Sequence, residues 1–138
     1  MGRILGIDWG EARCGISLSD LTETIASPLP AWDRRANREL GEYLQELVKE
    51  HQIEKIVLGF PKDMSGTIGK KAQETLGLQE NLTKTLNLPV VLWDERLTSV
   101  SAKRFLKENK IRSKKDKKVI DTISAVLILQ SFLDSQRI

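Results

Sequence analysis

The sequence predicts an α/β protein built on a five-stranded mixed sheet flanked by helices. Three observations predict it. The first 27 residues hold three short strand patterns joined by turns too brief for a helical crossover, which makes an antiparallel meander. Helix and strand patterns then alternate, the signature of parallel βαβ units. A third sign is the unalternated apolar run Ile56-Val57-Leu58, which suits a strand covered on both faces.

Residues 3 to 8 read as the first strand, with the apolar run Ile4-Leu5-Gly6-Ile7 ending at Asp8. Residues 13 to 19 read as the second, since Cys14, Ile16 and Leu18 alternate with Gly15, Ser17 and Ser19. Residues 23 to 27 are expected as the third, stopped by Pro28 and Pro30. A helix is expected over 37 to 51, because Leu40, Tyr43, Leu44, Leu47 and Val48 fall on one face, with Asn37 as N-cap. Lys55 to Leu58 is the fourth strand, closed by Gly59, and a loop follows from Pro61 to Gly69. Residues 70 to 86 are a weakly patterned helix with Gly77 inside, and Val90 to Trp93 the fifth strand. A short helix over about 99 to 109, a basic loop and a last helix over about 117 to 133 complete the chain. That order of elements is the order of the ribonuclease H-like fold. Residues 1–138 are expected to form one domain.

Composition narrows the function classes. With 40% hydrophobic and 30% charged residues the chain has the make-up of a soluble globular protein. No signal peptide is expected, and the longest apolar run, Ala125 to Leu129, is far short of the ~20 residues that span a bilayer. The single cysteine, Cys14, rules out an intrachain disulfide and fits a reducing cytoplasm; its strand position suggests a core residue. One histidine and one cysteine leave little for structural zinc. Net charge is only +3, but residues 101 to 118 hold nine basic and two acidic residues, whereas the rest of the chain holds 13 basic and 17 acidic. Such a cationic stretch suits a phosphate backbone, with Lys110, Arg112, Lys114 and Lys115 at its centre.

Three acidic positions carry the chemical argument. Asp8 ends the first strand and is followed by Trp9-Gly10; Asp94-Glu95 follows the fifth strand; Asp121 lies in the first turn of the last helix. Ligands collect at the carboxyl ends of parallel strands, where Asp8 and Asp94-Glu95 stand. Hard divalent cations such as Mg²⁺ or Mn²⁺ prefer carboxylate oxygen, and two of them can serve the attacking water and the leaving oxygen of a phosphodiester. Spacing leaves open whether Asp94 or Glu95 is the ligand, although Glu95 reaches further. Small residues after Asp121, Ser124 and Ala125, would let that helix face approach the sheet. Arg13 and Arg96 suit phosphate oxygens, and Lys62 lies in a glycine-bearing loop that could line the same cleft. That loop is not a Walker loop, because Gly69-Lys70 is followed by Lys71.

These residues also form a recognisable set. Gly6-Ile7-Asp8-Trp9-Gly10, Arg13-Cys14-Gly15, Ser19-Asp20, Gly59-Phe60-Pro61 with Ser65-Gly66, Asp94-Glu95-Arg96-Leu97-Thr98, and Asp121 with Ala125 before Leu129-Gln130 run in order over nearly the whole chain. In them the sequence resembles the YqgF/RuvX family of pre-16S rRNA nuclease and Holliday junction resolvase-like proteins. The resemblance implies a ribonuclease H-like fold, a cytoplasmic bacterial protein, and a divalent-metal nuclease in 5′-end maturation of ribosomal RNA, with Asp8, Glu95 and Asp121 as its acidic site. Three departures from the family pattern are Ala12 where Lys is frequent, Cys14 where Ile or Val is usual, and Ser124 for a frequent Ala. Unlike junction resolvases, the chain has Gly59 rather than an acid closing the fourth strand.

The expected substrate is structured RNA. Branched DNA is the alternative; the chain is expected as a monomer or a homodimer, and a twofold dimer would suit a four-way junction. A non-catalytic RNA-binding factor is the reading from a different class, marked by salt-sensitive binding without product.

Overall fold

The structure, a computed structural model, describes residues 2–10, 12–61, 69–95 and 117–136, with side chains in the last helix from residue 123 onward. Strands β1 (Arg3–Asp8), β2 (Arg13–Ser19) and β3 (Ala26–Asp33) form the antiparallel meander. Helix α1 (Leu40–His51) leads to β4 (Ile53–Phe60), and α2 (Lys70–Leu86) to β5 (Val90–Asp94). Helix α3 (Lys117–Ser135) is the last described element. The sheet order is β3-β2-β1-β4-β5, with β4 parallel to both β1 and β5. The helix expected over 99 to 109 and the basic loop lie outside the described residues.

Alternation within the strands divides the interior in two. Leu5, Ile7, Ile16, Ile56 and Leu58 face Leu44, Leu47 and Leu82, which line α1 and α2. On the other face Ile4 and Val57 meet Ile128, Leu129, Phe132 and Leu133 of α3. Cys14 is fully buried in the first of these cores, as its strand position predicts. The unalternated run of β4 is explained, since Ile56 and Leu58 point to one core and Val57 to the other. Among the described residues no helix is long and apolar enough to cross a membrane.

Boundaries differ from expectation most in β3, α1 and β4. β3 runs through Pro28 and Pro30 to Asp33 instead of stopping before them. It is an edge strand, so prolines two residues apart can turn their missing N–H groups to the unpaired side. α1 starts at Leu40 after Glu39, which makes no side-chain cap, so Asn37 is not the N-cap; instead residues 33 to 36 form a turn in which Ala36 N–H donates to the Asp33 carbonyl at 2.8 Å. β4 extends two residues past Leu58, with Gly59 beside Trp93 and Phe60 beside Asp94.

Gly6 sets how close α3 comes. A Cβ there would lie 2.8 Å from Leu129 Cβ and would also strike the Ser17 hydroxyl. Bare backbone at this point lets the helix rest on β1.

Candidate active site

The carboxyl ends of β1, β4 and β5 lie side by side along one edge of the sheet. Ile7 pairs with Leu58, so Asp8, one residue on, stands beside Gly59. Leu5 and Ile7 belong to the core beneath α1 and α2, which puts Gly6 and Asp8 on the α3 side.

Glu95 follows β5 directly and reaches the same side. A Cβ built on Gly59 would lie 2.7 Å from Glu95 Oε1 and 2.6 Å from Ile128 Cδ1. The carboxylate of Glu95 therefore lies over β4, in the space that the missing side chain leaves, with Ile128 of α3 beside it. From there β1 is one strand spacing away, about 4.8 Å. Asp94 has the opposite parity: Val90 and Leu92 face the α1–α2 core, whereas Val91 and Trp93 face α3. Of the two adjacent acids that spacing leaves open, Glu95 is the one on Asp8's side. Both Asp8 and Glu95 are half-buried.

The backbone of Asp121 lies in α3 one turn before Ala125, and its side chain lies outside the described ones. α3 runs antiparallel to β1: Phe132 and Leu133 pack in the core with Ile4, and Leu129 and the Ala125 carbonyl lie over Gly6. Its N-terminal turns thus head for the edge that bears Asp8. Among the described residues no three metal-ligating side chains stand together, and the described pair is Asp8 and Glu95. This pair suits a divalent cation chemically: two hard oxygen donors, one carboxylate held in a cradle that any side chain at residue 59 would fill.

Of the expected phosphate contacts, Arg13 begins β2 opposite Asp33, at the same end of the sheet as Asp8. Lys62, Arg96, Lys110, Arg112, Lys114 and Lys115 lie outside the described residues. Sequence reasoning missed Arg34. Its backbone N–H donates to the Ala12 carbonyl at 2.9 Å, and its guanidinium lies 5.6 Å from the centre of the Trp9 ring, next to Asp8. No linear motif marks it; the signal would have been the pairing of β2 with β3, which brings residue 33 to residue 13.

Grooves of about 480 and 430 Å³ flank α1, lined by Trp32, Arg34 and Arg38 and by Trp9, Leu78 and Leu82 respectively. Neither includes Asp8 or Glu95.

Known proteins match the chain over nearly its whole length. A family model for RuvX, described as Holliday junction resolvase, matches residues 2–135. A protein of Syntrophomonas wolfei is 47% identical over 132 residues, covering 96% of this chain and 94% of its own. A Bacillus subtilis protein is 44% identical over 137 residues, covering 96% and 98%, and one from Caldanaerobacter subterraneus 43% over 136 residues, covering 98% of each. All three bear the name "Putative pre-16S rRNA nuclease". Among solved structures, RuvC of Thermus thermophilus superposes with a TM-score of 0.57 at 12% identity, covering 96% of each chain. RuvC in complex with a Holliday junction substrate gives 0.55 at 10% identity, covering 99% of this chain and 97% of that one. The fold is the ribonuclease H-like fold that the order of elements implied.

Proposed function

The chain belongs to the RuvX family, and from that premise we propose that it is a divalent-metal-dependent endonuclease in cytoplasmic 5′-end processing of pre-16S rRNA. One observation carries the reading. Asp8 and Glu95, 87 positions apart in the sequence, share one side of the sheet's carboxyl edge, and Gly59 leaves the space that Glu95 fills. The substrate follows from the name borne by relatives 43–47% identical over almost the whole chain.

Asp8, Glu95 and Asp121 would hold Mg²⁺ or Mn²⁺. When bound, such ions supply an activated water and offset the charge that builds on the phosphodiester. Asp8, at the end of β1, and Glu95, just past β5, would hold the site on one edge of the sheet, and Asp121 would add a carboxylate from α3. Arg13 and Arg34 stand at the same edge, where guanidinium groups can take phosphate oxygens of the RNA strand. Lys62, Arg96 and the cationic 101 to 118 segment extend that grip along the backbone.

Single-turnover cleavage of a labelled pre-16S RNA, with Mg²⁺ or Mn²⁺, tests this. Wild type is expected to cut, and Asp8→Asn and Glu95→Gln each to lose roughly two orders of magnitude or more in rate. An Asp8→Asn protein as fast as wild type overturns the mechanism. A four-way junction DNA, assayed in parallel, tests the activity that the family description names; cutting of that substrate alone would move the assignment to branched DNA.

A further inference from the structure

Among the described residues, helix α3 is fastened to the sheet by three side-chain hydrogen bonds or pairs of them. Ser17, in the middle of β2, donates its hydroxyl to the Ala125 carbonyl at 2.8 Å, and the residue is completely buried. Gln130 accepts from Ala26 N–H and donates to the Thr24 carbonyl, both at 2.9 Å. Trp93 donates its indole N–H to Ser131 Oγ at 3.1 Å. Of the three, the Ser17 bond lies furthest towards the helix N-terminus, one turn from Asp121.

Apolar packing alone is tolerant of sliding; Ile128, Leu129 and Phe132 could rest on the sheet at more than one height. A slip of one residue moves a helix by ~1.5 Å and turns it by ~100°. Ligand distances in a metal site tolerate about 0.2 Å. The Ser17 hydroxyl meets the Ala125 carbonyl at one height only, and Gly6 is bare where Ser17 crosses β1 to reach it.

We propose that Ser17 is a positioning residue: it touches no ion or substrate, but sets the axial height of α3 and so the height of the turn that bears Asp121 relative to the carboxyl edge of the sheet. This rests on the nuclease reading above. The test is Mn²⁺ binding by the full-length, folded protein, followed by electron paramagnetic resonance, for wild type, Ser17→Ala, Asp121→Asn and the double variant. Ser17→Ala is expected to raise the Mn²⁺ dissociation constant about tenfold, the low end for partners one step removed from a metal. The double variant is expected to bind no worse than Asp121→Asn alone, because both act through one carboxylate. RNA affinity in EDTA is expected to stay at the wild-type value, which separates this effect from general loosening. If Ser17→Ala does not fold, the near-isosteric Ser17→Cys, with its weak donor, is expected to shift Mn²⁺ affinity in the same direction. Wild-type Mn²⁺ affinity in the Ser17 variant, or full additivity with Asp121→Asn, overturns the proposal. Absence of Mn²⁺ binding in the wild type overturns the metal reading itself, and this inference with it.

Discussion

Gly59 matters for what it lacks. In the sequence it reads as a strand terminator; in the structure it sits inside β4, and its bare Cα makes room for the Glu95 carboxylate and Ile128. Gly59→Ala is expected to displace Glu95 and cut the cleavage rate about as severely as Glu95→Gln, while overpacking lowers stability by roughly 1–3 kcal/mol. Urea denaturation beside the cleavage assay checks both halves; full activity would mean that Glu95 is not placed by this glycine. Asp20 gives a prediction of a different kind. The Thr22 hydroxyl, then the Thr24 and Ile25 N–H groups, hold its carboxyl at about 2, below its ordinary 3.8. A carboxyl depressed in the folded state stabilises above its unfolded pKa, and that contribution fades as pH falls through the folded one. Wild type is therefore expected to exceed Asp20→Asn in denaturation midpoint at pH 5. The gap should narrow below 3.8 and close towards 2; a gap independent of pH would contradict it.

Among elements, the long regular ones were legible and the punctuated ones were not. The second strand and the helix over 70 to 86 fall where alternation and length put them. Pro28 and Pro30 misled because proline forbids a central strand but not an edge, and edge status is a property of the sheet, invisible within eight residues. α3 shows how an element's value depends on what it covers. Leu129 is fully buried over Gly6, whereas Leu76 of α2 is 37% exposed. Leu129→Ala is expected to cost about 2–5 kcal/mol and Leu76→Ala no more than roughly 0.5 kcal/mol. Equal shifts in denaturation midpoint for the two would mean that α3 does not cap this face.

At the scale of the whole molecule, the strand-end places of Asp8 and Asp94-Glu95 were legible, but the side of the sheet that each faces was not. Asp8 and Asp94-Glu95 could be placed at strand ends from sequence, since both follow apolar runs. That Glu95 rather than Asp94 shares Asp8's side of the sheet needed the pleat, because parity is fixed only once β5 is in register with β4. Arg34 needed the same tertiary information. Charge distribution, by contrast, is written in the sequence. Replacing Lys110, Arg112, Lys114 and Lys115 with Gln is expected to flatten the dependence of log RNA affinity on log salt by up to ~0.7 per lost single-strand contact. Binding measured between about 50 and 200 mM salt reads this directly. An unchanged slope would place the RNA elsewhere.

The order of the chain carries a consequence for its life in the cell. Asp8 is made early and Glu95 late, but α3, which covers one whole side of β1 to β4 and bears Asp121, follows every strand. During synthesis, until that helix has emerged, the sheet has an uncovered apolar flank. Native packing of that flank therefore waits on an element made after all the described strands, and Ile4 and Val57 meet their apolar partners only when it docks.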